Sequence, residues 1–403
     1  MDQITEYKNC TGCQACRLIC PNNCVTITGN EEGFYAPVVD QTRCMDCDLC
    51  IKCCPQNNDR ILKSNNSIKV LGAIYNENDE LLGRSASGGV FAGIATRILE
   101  TPGNAVFGCV LDDNMVARHV CVTDKKDLDP CQNSKYVQSD VGDTYMQVKT
   151  LLAKGKTVFY SGVPCQIAGL NSFLEKNYDN LLTADLICHG VPSPLLFKRY
   201  IEELGKKFGE KIIGYDFRSK EKVGWSGATR IKVHTKTKTI SVITQMDPYI
   251  SSFRASKTLN ECCYTCKYAS EQRVSDLTIG DFWNIEVEHP EFFDKRGVSA
   301  VLVNTEKGEQ FFKMFYDDYK IIESDIKKVV GGNRNLRKPS KRPKQRETAY
   351  KNIQNETVDI FKESYFKISF KKRVKGFVGW YIPWLVIPYK RFKHKKKKIV
   401  IDD

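Results

Sequence analysis

The sequence predicts two parts, a small cysteine-rich α+β unit at the N-terminus and a larger α/β core with a mixed sheet. Two runs of four cysteines fill the first 55 residues. From Ile68 onward, strand-like segments alternate with segments of helical spacing, which is typical of an α/β sheet. At 403 residues the chain is longer than a single hydrophobic core usually supports, so more than one domain is expected.

The two cysteine runs share one spacing. The first reads C-x2-C-x2-C-x3-C-P from Cys10 to Pro21, and the second repeats it from Cys44 to Pro55 with Cys53 as an extra thiol. This spacing is typical of bacterial two-cluster ferredoxins, in which the fourth cysteine of each run ligates the other cluster. Two 4Fe-4S clusters are therefore predicted. The ligands of the first are Cys10, Cys13, Cys16 and Cys54, and those of the second are Cys44, Cys47, Cys50 and Cys20.

Two other uses of these cysteines fit less well. Zinc also binds C-x2-C pairs, but it takes four ligands and gives no reason for a third cysteine at the same spacing or for the proline after each fourth one. A disulfide scaffold is typical of small secreted proteins. Eighteen cysteines with no signal peptide ahead of them favour a reducing, cytoplasmic location instead.

The remaining chain is divided by changes in composition. The predicted parts are a ferredoxin unit (1–56), a polar linker (57–67), a core (68–330, with parts 68–150 and 151–330) and a basic C-terminal region (331–403). Core strands are predicted at 68–75, 105–111, 157–161 and 182–188, and helices at 88–100, 143–153, 167–176 and 193–208. Period-2 alternation at 212–217, 229–234 and 240–244 indicates an antiparallel addition.

The C-terminal region carries much of the net charge of +13. Residues 331–350 are interpreted as an exposed connector. The aromatic segment 376–389, followed by a basic run, predicts peripheral contact with an anionic membrane. An arm packed on the core or on a second subunit, or a solvated tail, are the alternatives. A nucleic acid partner is not expected, and no apolar run is long enough for a membrane-spanning helix.

Three loops follow predicted core strands, where α/β folds place ligands. Ser87, Gly88 and Gly89 open a helix, and their free amides suit a phosphate or a flavin diphosphate, although a plain capped turn explains them as well. Cys165 begins a helix, which predicts a lowered thiol pKa, and Cys188 ends the next strand. With Cys263 and Cys266 these cysteines supply four thiolates, the number that one more cubane needs. Buried structural cysteines are the alternative, and Cys24, Cys109, Cys121 and Cys131 are interpreted in that way.

Several longer motifs then occur in a fixed order. They are SGGVF (87–91), SKYVQS (134–139), GVPCQIAGL (162–170), CHGVPSP (188–194), Ser275-Asp276 and GDFW (280–283). With these motifs, residues 1 to about 325 resemble the coenzyme F-420 hydrogenase/dehydrogenase beta-subunit family. The resemblance implies FAD and at least one 4Fe-4S cluster in the core. It implies cluster ligation by Cys165, Cys188, Cys263 and Cys266, with Cys262 as a substitute for Cys263. It implies a flavin site near Ser87, Gly88, Gly89, Lys135, Tyr136, Gln138 and Ser139.

The expected function is that of an iron–sulfur flavoprotein oxidoreductase. Electrons from ferredoxin or another donor protein would pass through the clusters and FAD to an organic acceptor, either an F-420-like deazaflavin or another conjugated or cell-envelope metabolite. One alternative is an electron-transfer beta subunit of a larger complex without its own substrate. Another is a thiol enzyme with Cys165 as nucleophile and His189 as base, which leaves the clusters unused. No catalytic residue is assigned.

Overall fold

The computed structural model describes residues 4–5, 7–57, 66–75, 79–221, 224–225, 229–355, 359–362, 366–370 and 374. Most of the predicted linker and the whole aromatic segment 376–389 lie outside the described residues, so the membrane-contact hypothesis stays a prediction. In the described part, no helix is both long and apolar enough to cross a membrane.

The N-terminal unit has the expected α+β composition. It consists of the helices α1 (Ala15–Ile19) and α2 (Leu49–Lys52) and the antiparallel strands β1 (Val25–Gly29) and β2 (Tyr35–Val39). Each helix begins after a residue with left-handed backbone, Gln14 at φ 64° and Asp48 at φ 60°. These residues stand at the same place in the two cysteine runs, directly after the second cysteine, so the two runs turn in the same way.

The core is built on one mixed sheet of eight strands, which confirms the predicted sheet type. Its strands are β3 (Lys69–Tyr75), β4 (Ala105–Leu111), β5 (Ala117–Val122), β6 (Val158–Gly162), β7 (Leu181–Leu186), β11 (Leu277–Asp281), β12 (Ser299–Val303) and β13 (Tyr319–Glu323). Their order is β13-β3-β12-β11-β7-β6-β4-β5. The four strands β11, β7, β6 and β4 run parallel, and the outer pairings are antiparallel. Strands from 68–150 and from 151–330 share this sheet.

Helices lie on both faces of the large sheet. The described helices after the N-terminal unit are α3 (Asp79–Arg84), α4 (Val90–Ile98), α5 (Thr144–Ala153), α6 (Pro164–Leu174), α7 (Pro194–Phe208), α8 (Pro248–Arg254), α9 (Ile285–Glu288), α10 (Glu306–Lys313), α11 (Ile326–Gly332) and α12 (Arg346–Tyr350), of which α7, α8 and α12 pack with the separate sheet described below. Side chains alternate between the faces of a strand, and the consecutive, fully buried Val106 and Phe107 belong to two different apolar clusters. The sheet is therefore buried on both sides.

The three segments that were expected as an antiparallel addition form a separate sheet. It consists of β8 (Ile212–Ser219), β9 (Arg230–Thr235) and β10 (Thr239–Ile243) in the order β10-β9-β8. The inner residues Phe217 and Val233 pack with Phe197 of α7 and Tyr249 of α8 in an apolar cluster of their own. Because these strands bury their apolar side against these helices, they do not extend the large sheet.

The interpretation of residues 331–350 as an exposed connector is wrong for much of that segment. Leu336, Arg346, Ala349 and Tyr350 are buried. We call residues 333–355 the strap, because they run across the core and reach the N-terminal unit. The basic composition was misleading, since the exposed lysines and arginines of the strap alternate with residues that pack inward.

Candidate functional site

The first predicted cysteine set is brought together by the turn around Cys13. Burial raises the pKa of Cys10 to about 11 and that of Cys13 to about 12, and the Cys54 thiol adds to both shifts. The pKa of Cys16 is also raised by burial and then by the same three thiols. The fourth cysteine of the second run thus joins three cysteines of the first run, in the crossed arrangement that the spacing predicts.

The second set lies at the surface. Cys20, Cys44, Cys47 and Cys50 line one small cavity. The neighbouring Met45 is 61% exposed and Leu49 is 38% exposed. This set is the part of the cysteine arrangement that a partner protein can approach most easily.

Cys24, which was interpreted as a structural cysteine, lies beside the second set. Its Sγ lies 3.3 Å from the Sγ of Cys20, and it lines the same cavity. The thiol of Cys20 raises the pKa of Cys24 to about 11. The second set therefore has five nearby thiols.

The third set forms where two parallel strands end side by side. Cys165 follows β6 and Cys188 follows β7, and these strands pair in parallel. The loop before β11 adds Cys263 and Cys266. All four residues are half-buried, and burial raises the pKa of Cys165 and Cys188. The pKa of Cys165 is raised by burial and then by the thiols of Cys188, Cys266 and Cys263.

The prediction of a lowered pKa at Cys165 is wrong. Helix α6 does begin at Pro164, but burial and three neighbouring thiols outweigh the helix terminus. The proposed base, His189, points elsewhere: its ring nitrogens lie 3.2 Å from the Phe253 carbonyl and 3.2 Å from Ser340 Oγ. This geometry does not favour the thiol-enzyme alternative. Binding of a metal removes the proton from a thiol outright, so the set suits metal ligation.

Cys262 and Cys263 are the two candidates for one ligand position of the core cluster, and Cys263 is the closer of the two to Cys188. Burial is the largest cause of the raised pKa of Cys188, and the thiols of Cys263 and Cys266 raise it further. An added Cβ on Gly190 would lie 3.1 Å from the Cβ of Cys263. Cys262 is the more buried of the two and interacts with Cys263.

The first and third sets adjoin each other across the boundary between the two parts. Cys13 is among the thiols that raise the pKa of Cys165. On α6, Gly169 leaves room for Cys13, since an added Cβ would lie 2.9 Å from the Cβ of Cys13. Tyr268 is near both sets. Burial is the largest cause of its raised pKa, and the thiols of Cys165 and Cys13 both raise it further. The three sets therefore follow one another from the surface into the core.

The N-terminal unit is held against the core by direct hydrogen bonds. Gln138 Nε2 donates to the Thr11 carbonyl at 3.1 Å, and Gln138 Oε1 accepts from the Tyr35 amide at 2.8 Å. Lys267 Nζ donates to the Pro55 carbonyl at 2.6 Å. Gln138 was assigned to the flavin site by resemblance, but in the structure it bridges the two parts.

The other predicted flavin residues occupy two places. Ser139 is buried, and its Oγ lies 2.9 Å from Gln166 Nε2 and 3.3 Å from His119 Nδ1. Ser87, Gly88 and Gly89 lie at the end of β3. There the Gly88 carbonyl accepts from the Tyr75 amide at 2.8 Å.

Gly88 is close to its neighbours, since an added Cβ would lie 2.2 Å from the Ala73 carbonyl oxygen. Gly89 precedes α4 at φ 79°, a left-handed conformation that glycine adopts without strain.

Cationic and aromatic side chains lie together between this loop and the end of β8, and we call this group of residues the crevice. Lys220 Nζ donates to the Ser87 carbonyl at 2.6 Å and to the Leu82 carbonyl at 2.8 Å. Burial, with help from Arg218, lowers the pKa of Lys220 to about 7. Arg218 pairs with Asp281 at 2.7 Å, at the end of β11.

Aromatic rings and a second lysine complete the crevice. Tyr136 stacks on Phe253 with ring centroids 4.7 Å apart, and its hydroxyl interacts with Arg218. Trp283 stacks on Trp225 at 5.2 Å and 4°. Lys135 Nζ donates to the Pro130 and Gln132 carbonyls, both at 2.6 Å, and burial lowers its pKa.

The sequence reasoning did not assign Arg218, Lys220 or Trp225. These residues were hard to assign from the sequence, because they lie at and beyond the end of β8 and the residues that they contact are remote in sequence.

These residues fit the implied groups chemically. Each cysteine set has at least four thiols, as a cubane requires. Cations and planar aromatic rings suit a diphosphate joined to a conjugated ring. Among the described residues, no three His, Cys, Asp or Glu side chains are arranged to hold a single metal ion, so the fit rests on the number and grouping of the thiols.

Comparison with known proteins assigns the class of the N-terminal unit first. Residues 9–58 match the 4Fe-4S dicluster domain, so the chain is an iron–sulfur protein. Residues 155–329 match the family described as the C terminus of the coenzyme F420 hydrogenase/dehydrogenase beta subunit. The family resemblance predicted from the motifs is thereby confirmed for residues 155–329, and the predicted dicluster domain is confirmed for residues 9–58.

Two individual proteins are similar over most of the chain. The F subunit of the F(420)H(2) dehydrogenase of Methanosarcina mazei is 24% identical over 332 residues, which are 80% of this chain and 86% of that protein. A solved structure of the F420-reducing [NiFe] hydrogenase complex from Methanosarcina barkeri, a xenon derivative, has a chain with 16% identity and a TM-score of 0.46. The match covers 73% of this chain and 91% of that one.

Proposed function

We propose that this protein is an iron–sulfur flavoprotein oxidoreductase that relays electrons from its dicluster unit, through a third 4Fe-4S cluster, to FAD and then to an organic acceptor. The observation that carries the proposal is the succession of the three thiol sets. The second set is at the surface, the first lies at the boundary of the two parts, and the third lies in the core beside the cationic crevice.

The cysteine sets differ in burial, and this difference suggests where each cluster would lie. Cys10, Cys13, Cys16 and Cys54 would hold the middle cluster out of contact with solvent, and Cys165, Cys188, Cys263 and Cys266 would hold the core cluster. Gly169 and Tyr268 keep these two sets adjacent. The exposed position of the second set suits it for docking of ferredoxin or another donor protein.

The crevice residues would bind and orient FAD. Amides at the start of α4 and the cation Lys220 suit the diphosphate, because Lys220 binds two backbone carbonyls and keeps one N–H for a further hydrogen bond. Lys135 binds three backbone carbonyls, so it would contribute its charge rather than a further hydrogen bond. The phenol ring of Tyr136 offers a flat surface. The clusters supply single-electron transfer, and FAD supplies storage of two electrons and their delivery as a hydride.

A second candidate function is that of an electron-transfer subunit in a larger hydrogenase or dehydrogenase complex, without its own substrate. The similarity to a protein named as a dehydrogenase subunit favours it. In that case a partner polypeptide would receive or supply the electrons. An F-420-like deazaflavin, or another conjugated or cell-envelope metabolite, remains the proposed acceptor in the first case.

Anaerobic reconstitution tests these proposals. The loaded protein should contain about twelve irons and about one FAD per chain. It is then reduced by ferredoxin and mixed with candidate acceptors while the flavin absorbance near about 450 nm is followed. Reoxidation by one acceptor supports the enzyme. Full flavin reduction without reoxidation by any acceptor, together with co-purification of a second polypeptide, supports the subunit alternative. A chain that binds no FAD would overturn the proposal.

A further inference from the structure

The strap places one buried cation beside the third thiol set. Arg346 is 1% exposed, although it lies in a segment that is basic and mostly exposed. Its Nε donates to the Leu259 carbonyl at 2.7 Å. Leu259 leads into the short loop that carries Cys263, whose amide is hydrogen-bonded to the Asn260 carbonyl at 2.9 Å. Arg346 therefore binds the backbone that positions a predicted ligand of the core cluster.

The same guanidinium is neutralised by the N-terminal unit. Arg346 Nη1 and Nη2 donate to the two carboxylate oxygens of Glu32 at 2.7 and 2.6 Å. Glu32 lies between β1 and β2, and its side chain is 27% exposed. Such a two-pronged pair fixes both distance and orientation. The pair thus joins the hairpin of the dicluster unit to the loop of the core set.

Packing holds the guanidinium in this position. The Tyr350 ring lies 4.3 Å from the Arg346 guanidinium carbon. Tyr350 OH donates to the Thr258 carbonyl at 2.7 Å, and its ring contacts Phe34 of the hairpin at 5.5 Å. Leu259, whose carbonyl binds Arg346, packs in the same apolar cluster as Cys263. The charge of Arg346 therefore lies close to the loop of that thiol.

We propose that the Glu32–Arg346 ion pair is a positioning element that sets the reduction potential of the core cluster. The inference rests on the proposed function, since it needs the third cluster. Net charge around an iron–sulfur cluster is one of the main determinants of its potential. A nearby cation favours the reduced form, which carries one more negative charge, and a nearby anion favours the oxidised form.

This assignment predicts shifts of opposite sign from the two partners. Arg346→Met removes the cation and leaves Glu32, so the core cluster should become harder to reduce. Glu32→Gln removes the two-pronged anionic partner of Arg346 and leaves only Glu261, whose carboxylate lies 4.0 Å from Arg346 Nε, so the core cluster should become easier to reduce. The expected size is about tenfold in the ratio of reduced to oxidised cluster at a fixed potential, which is about 59 mV for a one-electron couple. Arg346→Lys keeps the charge and should stay nearer to the wild-type potential.

The test is a redox titration of the anaerobically loaded, full-length protein, with the core cluster assigned in the EPR spectrum by its loss in Cys165→Ser. Lys344→Met is the matched control, because it removes one exposed positive charge from the same strap and should leave the potential unchanged. Iron content is measured for each variant. Glu32→Gln is the milder change and keeps the test available if Arg346→Met does not fold.

Opposite shifts in Arg346→Met and Glu32→Gln support the proposal. Shifts in the same direction, or no shift in Glu32→Gln with the cluster present, overturn it, because a purely structural clasp would loosen in the same way in both variants. A wild-type protein with about eight irons and no third EPR signal would overturn the proposed function itself, and this inference with it.

Discussion

Replacing Arg273 by Met should destabilise the core more than a typical substitution does. Arg273 is 2% exposed and pairs with Asp185, which is fully buried, at 2.9 Å. It also donates to the carbonyls of Tyr268 and Ser270 at 2.9 and 3.0 Å, and to Thr278 Oγ1 at 3.1 Å. The methionine would leave the Asp185 carboxylate buried without its cation, and two buried carbonyls without their donor.

The expected cost follows from this geometry. Removing one partner of a buried ion pair costs about 3–5 kcal/mol, which is a large share of a total stability of about 5–15 kcal/mol. Because Arg273 holds the carbonyls of Tyr268 and Ser270, it also fixes the loop that carries Cys266. The variant should therefore lose the core cluster first, while the dicluster unit keeps about eight irons.

The assay is anaerobic urea unfolding followed by tryptophan fluorescence, with iron content measured in parallel. Lys206→Met is the control, since its exposed pair with Glu203 at 2.7 Å should contribute little to stability. The double variant Asp185→Asn/Arg273→Met should be more stable than the sum of the single effects predicts. A loss of less than about 1 kcal/mol in Arg273→Met, well below the range for a broken buried pair, would refute the reasoning.

Four further predictions concern the thiols and the crevice. Cys165→Ser should lower the iron content from about twelve to about eight and stop flavin reduction by ferredoxin; full iron content would remove Cys165 from the ligands. Cys24→Ala should keep about twelve irons, because Cys20, Cys44, Cys47 and Cys50 remain; a drop by four would make Cys24 the ligand. Burial and then Arg218 lower the pKa of Lys220 to about 7, in surroundings that also include Arg296, Asp281 and Asp294. Lys220 should therefore bind FAD more weakly as the pH rises above 7, because it loses its charge. Equilibrium dialysis from pH 6 to 9 measures this, and Lys220→Met should lack the slope. In the apoprotein the same lowered pKa should raise stability with pH between about 7 and 10.4, because there the unfolded chain keeps the proton that the folded chain has lost.

The local features of the fold were predictable from the sequence. Fixed spacing places Cys10, Cys13 and Cys16 on one tight turn, so this grouping needs no knowledge of remote contacts. The strand β4 was predicted with the bounds that the structure has, Ala105–Leu111, because its apolar run is continuous and buried on both faces. The loops of Cys165 and Cys188 were correctly expected at strand ends.

The features that depend on contacts between remote residues were not predictable. A thiol at a helix start suggests a lowered pKa, but the burial of Cys165 and its three neighbours, two of which come from a loop about 100 residues away, reverse the direction. Gln138 lies in a motif that suggests a ligand site, whereas its partners Thr11 and Tyr35 are more than 100 residues distant. Composition alone made the strap appear solvated, since a buried arginine cannot be told from an exposed one without its partner.

The docking of the N-terminal unit changes how the relay must be understood. The predicted polar linker suggested a unit that is free to present its clusters to a soluble donor. Instead, Gly12 and Gly169 remove the side chains that would keep the first set away from α6, since an added Cβ at Gly12 would lie 2.5 Å from Gln138 Nε2. Gln138 binds the unit at Thr11 and Tyr35, and Arg346 binds it at Glu32. These contacts fix the separation of the first and third thiol sets, so the proposed electron transfer between them would need no domain movement. In the proposed relay, the step open to regulation would then be the encounter with a partner at the exposed second set.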